Sequence, residues 1–198
     1  MKSQLLFTTI VSGLLAITAA PVFASLSIPN GWYIEGNVGP SKISDQNING
    51  SVSNNGVGLN ANIGYKFMPY LTTEIGYTQY ADTKIKDQFG TTAATDKHYS
   101  YGVTAKGIVP VMASGFEAFA KLGVQRSVSS MSVQDMNAAN NVNLNANRHS
   151  NIGLSIGAGA QYYFMPELAG ILQWARAKND DNTGTFDLYS VGLSIIFE

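Results

Sequence analysis

His98 and Ser100 stand two residues apart, a spacing that in an extended chain puts both side chains on one face. An imidazole and a hydroxyl so placed could act as base and nucleophile in a hydrolysis. Downstream, the next acid that could orient the imidazole is Glu117, on a later segment. His149 and Ser150 are adjacent, so in a strand they would point to opposite faces. A second set is Glu35, Lys66, Glu74, Lys106, Glu117 and Lys121. Brought together, these three acids and three bases would form either a rigidifying ion cluster or the lining of an ion path. Asp180, Asp181 and Asp187 could hold a surface cation, but no EF-hand spacing surrounds them. The chain has no Cys, which removes thiolate nucleophiles, disulfides and Cys-based metal sites. No metal or cofactor is expected.

The elements that must position these residues show themselves by a period of two. In Val57 to Phe67 the odd positions are apolar or aromatic and the even ones are Gly, Asn and Lys. The same alternation runs through Leu71 to Tyr77, Tyr99 to Lys106, Phe116 to Val124, Ile152 to Phe164 and Tyr189 to Phe197. Weaker versions cover Trp32 to Gly39 and Leu168 to Lys178. Each run reads as a strand with one apolar and one polar face, eight in all. The links between them alternate. Met68 to Tyr70, Pro110 to Gly115 and Met165 to Glu167 are short and carry Pro. The spans Ser44 to Asn55, Ala81 to Lys97, Ser127 to Ser150 and Asn179 to Gly184 are longer and polar, and Val128, Met131 and Val133 point to strands that run on into the third of them. Short turns at one end and long loops at the other are the layout of an antiparallel up-and-down barrel.

Met1 to Ala24 has the parts of a secretory signal: Lys2, an apolar stretch from Leu5 to Ala20, and Val22-Phe23-Ala24 as a cleavage site. The expected organisation is a signal peptide over 1–24 and one barrel domain over 25–198. Twelve Lys and Arg against thirteen Asp and Glu, with no basic run, exclude a nucleic-acid partner. The residues are 45% hydrophobic and 13% charged, against about 25% charged in soluble domains. Alternation alone does not say which face meets water. The polar parity decides, because it is made of Gly, Ser, Thr, Asn and Gln with the six charges named above, too few for a solvated exterior. Small residues and balanced charge suit the packed interior of an eight-stranded barrel. The apolar parity then faces lipid, with Trp32, Phe67, Tyr77, Trp174 and Tyr189 among the aromatics near strand ends.

The opening Gly31-Trp32-Tyr33-Ile34-Glu35-Gly36, the aromatic–Met–Pro turns and the last strand together resemble small outer-membrane β-barrels of the OmpA transmembrane-domain or opacity-protein type over about Gly31 to Phe197. The resemblance implies an eight-stranded antiparallel up-and-down transmembrane barrel with short periplasmic turns and long extracellular loops. It implies a bacterial outer-membrane location reached by export. Ser190 to Phe197 is similar to the C-terminal assembly signal of such barrels, with Gly192 and Phe197 at the matching positions and Glu198 following. The implied partners are outer-membrane lipid and lipopolysaccharide, the outer-membrane assembly machinery, and a host or surface partner met through the loops. Asn137 to Arg148 gives one loop an Asn-rich tract for such contact. The expected function is non-enzymatic: envelope structure and surface interaction. The alternatives are a lipid A-modifying hydrolase, since His98-Tyr99-Ser100 is similar to the His-x-Ser of lipid A deacylases, and a narrow ion channel through the charged lumen.

Overall fold

The computed structural model describes residues 28–44, 51–53, 55–86, 92–111, 114–133, 148–179 and 184–197. The 1–24 signal segment, the Asn-rich tract up to Asn147, Asp180, Asp181 and Glu198 lie outside them. Ten strands are present: β1 (Gly31–Ser44), β2 (Ser51–Ser53), β3 (Asn55–Met68), β4 (Leu71–Gln79), β5 (Thr83–Lys86), β6 (Thr92–Val111), β7 (Phe116–Val133), β8 (Arg148–Met165), β9 (Leu168–Lys178) and β10 (Thr185–Phe197). Eight of them form the wall, each pairing antiparallel with its neighbours in the order β1, β3, β4, β6, β7, β8, β9, β10. β1 also pairs with β10, Trp32 opposite Phe197, so the first and last strands close the eight-stranded wall on itself. β2 and β5 are short extensions that pair with each other beside β6 at the long-loop end.

Period-two alternation becomes the wall's two faces. On β3, Leu59, Ile63 and Phe67 are exposed on the outer face, whereas Asn62 and Lys66 are buried in the lumen. The same split holds on β10 between Val191, Leu193 and Ile195 outside and Ser190 and Ser194 inside. Two stretches depart from the sequence reading. β6 begins at Thr92, inside the expected link Ala81 to Lys97, whereas β7 runs on to Val133 as Val128, Met131 and Val133 foretell, and each supplies the other's backbone partners from Ala94–Val133 onward. Pro110 is still in the β6 ladder, opposite Glu117, and the turn proper ends at Gly115, whose φ of 75° favours glycine.

The lumen is filled in layers. Near the short turns Tyr33, Tyr163, Ala169 and Ile196 pack together, with Ile108, Phe119 and Ile171 as a second small cluster. At the long-loop end Ile43, Tyr80, Ala177, Phe186 and Leu188 form a cap, the Tyr80 and Phe186 rings stacked with centroids 4.7 Å apart. Polar side chains fill the space between.

Candidate functional site: the charged lumen and its rim

Glu35, Glu74, Lys106 and Lys121 come from β1, β4, β6 and β7, and the wall's curvature aims all four at one point. Lys121 Nζ lies 3.0 Å from Glu35 Oε1 and 2.9 Å from Glu74 Oε2. Lys106 Nζ lies 3.3 Å from Glu35 Oε2 and 3.6 Å from Glu74 Oε1. The two acids therefore share two ammonium groups. Glu35 Oε1 also accepts hydrogen bonds from Asn37 and Asn62, at 2.8 and 3.0 Å, and Glu74 accepts one from the Tyr33 hydroxyl at 2.7 Å. Buried charges need this degree of pairing, since each loses its hydration. The Lys106 ammonium additionally sits 4.3 Å from the Phe119 ring centroid.

Lys66 and Glu117 form a second pair nearer the short turns, 3.8 Å apart. Gln161 joins the two groups: its Oε1 accepts from Lys106 at 2.9 Å and its Nε2 donates to Glu117 Oε2 at 2.6 Å. The structure thus places all six sequence-derived charges in the lumen, five of them buried and Lys121 partly so. Gln161, Tyr33, Asn37 and Asn62 complete the network without having been singled out in the sequence. Each lies on the inward parity of its strand, which is the one signal that marks them. Towards the cap, Asn60, Thr78, Gln125 and Gln173 line a polar cavity of about 60 Å³, room for a few waters and nothing larger.

His98 and Ser100 also face the lumen, at the long-loop end, both fully buried. They engage different partners. Ser100 Oγ is 3.3 Å from the Tyr80 hydroxyl, and His98 Nε2 is 3.1 Å from Thr83 Oγ1. An acid does approach the imidazole, but from upstream: Asp96 Oδ2 lies 3.5 Å from His98 Nε2 and accepts a hydrogen bond from Ser129 at 2.6 Å. Its i−2 spacing on β6 places Asp96 on the same face as His98. The Ser100 hydroxyl is not hydrogen-bonded to His98, and the Phe186 ring lies against the imidazole, centroids 5.4 Å apart.

On the outer face, Tyr77, Tyr101, Trp174 and Tyr189 mark the upper limit of the apolar band. Just beyond it Arg176 grips Asp187 with two bonds of 2.8 and 2.9 Å, and Trp174 Nε1 donates to the same carboxylate at 3.0 Å. Burial alone would raise the Asp187 pKa, but these bonds and the charges of Arg176 and Lys42 bring it below the ordinary value. That carboxylate is therefore held by protein cations. Among the described residues no group of three or more metal-ligating side chains occurs. At the last strand, Gly192 faces inward, and a Cβ there would strike the Asn37 side chain and the Gly36 carbonyl. Phe197 is exposed on the outer face at the short-turn end.

Among solved structures the fold is similar to several small bacterial barrels. Neisserial surface protein A superposes with a TM-score of 0.60 at 19% identity, over 84% of this chain and 97% of that one. Ail, the attachment invasion locus protein of Yersinia pestis, in complex with the heparin analogue sucrose octasulfate, gives 0.57 at 16% identity, over 85% and 99%. The N-terminal β-barrel domain of Pseudomonas aeruginosa OprF gives 0.57 at 12% identity, over 85% and 100%. A search of curated proteins finds no match. A profile of the outer membrane protein β-barrel domain matches residues 10–197, and with a closed eight-stranded wall and an apolar exterior the chain belongs to that family of bacterial outer-membrane barrels.

Proposed function

We propose that this barrel is a non-enzymatic outer-membrane protein that adds to envelope structure and meets surface partners through its long-loop end. The observation that carries the reading is the filled lumen. Among the described residues, six paired charges, two apolar clusters and the Tyr80–Phe186 cap pack around small cavities of about 60 and 10 Å³. An interior so packed suits a stable scaffold better than a conduit. At the long-loop end β6 and β7 stay paired as far as Ala94 and Val133, past the aromatic limit at Tyr101, which supports a stiff base for the loops. Ail, the attachment invasion locus protein with the same fold, forms a complex with a heparin analogue, which supports a reading of surface contact. Hydrolysis by His98 and Ser100 is disfavoured because their partners differ and both face the lumen rather than lipid.

The test is a strain lacking the chain, complemented with either the full protein or one without residues 134–147. Both should restore detergent resistance, whereas only the full protein should restore binding of cells to sulfated glycans. Failure of both to restore resistance would overturn the envelope role, and equal glycan binding by both would overturn the role of that loop.

A further inference from the structure

We infer that residues 80–82 and β5, with β2 paired to it, form a strap at the long-loop end that His98 holds closed at neutral pH and releases in acid. The strap starts at the lumen cap. Tyr80 stacks on Phe186, and its backbone N–H donates to the His98 carbonyl at 2.9 Å. The Ala81 N–H donates to Ser41 Oγ at 2.9 Å. β5 then runs along β6 from Thr83–Asp96 to Lys86–Thr92, with a register shift between Ile85 and Lys86. It is four residues long, and among the described ladders β2 pairs with β5 alone. A ladder this short at the rim opens locally with ease, and a side-chain anchor decides how firmly it holds. Thr83 is that anchor. It is fully buried, and its hydroxyl lies 3.1 Å from His98 Nε2.

His98 lies past the aromatic limit, beyond Tyr101 on β6. Its ring faces Asp96 on its own strand, Thr83 on β5, Asp82 on the link, Ser129 opposite it on β7 and the Phe186 ring on β10. Of these only Asp82 and Asp96 carry charge. Both the Thr83 hydroxyl and the Asp96 carboxylate meet the ring at Nε2, and a carboxylate only accepts, so Nε2 carries the hydrogen. Nδ1 is buried with no hydrogen-bond partner. A second proton would go there and leave a charged N–H without an acceptor. Asp96 cannot serve it, because its Oδ2 lies on the Nε2 side and already accepts from Ser129. Burial therefore pushes the His98 pKa below 6.5, although Asp96 and Asp82 pull the other way. With the strap displaced the ring meets water and titrates at about 6.5. A base whose pKa is lowered in the closed form takes up its proton more readily in the open one. Closure is thus fully favoured above 6.5 and loses ground as pH falls below it. One pH unit below that value, the open form gains up to about tenfold.

Hydrogen exchange of the detergent-folded full chain tests the strap, with each amide's rate divided by its intrinsic rate at the same pH. Between pH 7.5 and 5.5 the amides of residues 80–86 should lose about fivefold or more of their protection. Those of β10 should keep theirs, since the wall stays closed. His98→Gln keeps a donor for Thr83 but does not titrate, so its protection should be equal at both pH values. Thr83→Val keeps the shape and removes the anchor. At pH 7.5 it should lose about threefold of the parent's protection over residues 80–86, the effect of one neutral hydrogen bond. In an NMR titration the His98 ring should show a midpoint below 6.5. Unchanged protection of the parent at pH 5.5, or a loss spread equally over β10, would overturn the strap. Unchanged protection in Thr83→Val would refute the anchor, and a loss in His98→Gln equal to the parent's would refute His98 as the switch. A midpoint at or above 6.5 would refute the release in acid.

Discussion

Lys121 on β7 reaches across the lumen to Glu35 on β1, an Nζ–Oε1 distance of 3.0 Å between residues 86 apart in sequence. The two are joined only because the wall closes, so their contact is part of what defines the closed barrel. Glu35 has no solvent exposure at its side chain and depends on Lys121 and Lys106 for neutralisation. Lys121→Met would leave Glu35 and Glu74 sharing one ammonium. Breaking a buried pair from one side costs about 3–5 kcal/mol. Urea unfolding in detergent, followed by the heat-dependent gel shift, should show a loss of that order. Glu35→Gln with Lys121→Met should lose less than the sum of the single variants, because neither then strands a charge.

A lumen closed in series should not conduct when only one layer is opened. Planar bilayers containing the refolded protein should show no stable nanosiemens steps. Phe186→Ala removes half of the Tyr80–Phe186 stack and should cost about 3–5 kcal/mol of stability, yet leave the bilayer closed, since the charged and Tyr33–Tyr163 layers remain. Stable steps in the parent protein would refute the filled-lumen reading.

The wall was legible in the sequence because lipid and lumen make opposite demands on neighbouring residues, so Ile63 and Lys66 declare their faces by parity alone. The fill was not. Tyr33, Tyr80, Phe119, Tyr163 and Phe186 are aromatic residues on the inward parity, and parity alone does not say what each of them packs against. Their neighbours come from other strands, and Tyr80 meets Phe186 only after closure. Gln161 was silent for the same reason: nothing local says that one amide will join Lys106 to Glu117. Asp96 was a different kind of omission, present two residues from His98 on the same face but upstream.

Ser100→Ala should leave lipid A composition unchanged in whole-cell extracts, because Ser100 is bonded to Tyr80 and not to His98. A shift in acylation in that strain would instead support hydrolysis. His98→Ala should lower stability by about 1–3 kcal/mol, the cost of leaving the buried Asp96 and Thr83 groups less well paired.

Asp187 should titrate below the ordinary carboxylate value of 3.8, since Arg176 and Trp174 stabilise its charged form. A lowered pKa means that the stabilisation is complete above 3.8 and is lost as pH falls through the lowered value. With Trp32→Phe, the emission of Trp174 should stay constant from neutral pH down to about 4 and change only below it. Asp187→Asn should abolish that transition. A midpoint above 3.8 would contradict the geometry of the Arg176 pair.

Gly192 and Phe197 should separate when folding is measured with and without the cell. Gly192 has a packing reason of its own, because any side chain there runs into Asn37 and the Gly36 carbonyl across the β1–β10 seam. Gly192→Val should therefore lower the folded yield even from urea into detergent, where no assembly machinery is present. Phe197 is exposed on the outer face at the end of β10, opposite Trp32, and the closure does not depend on burying its ring. Phe197→Ala should refold in detergent like the parent and yet reach the outer membrane of cells in at least severalfold lower amount. Equal loss in detergent for both variants would make Phe197 a residue of the seam, and normal membrane levels for Phe197→Ala would remove it from any assembly signal.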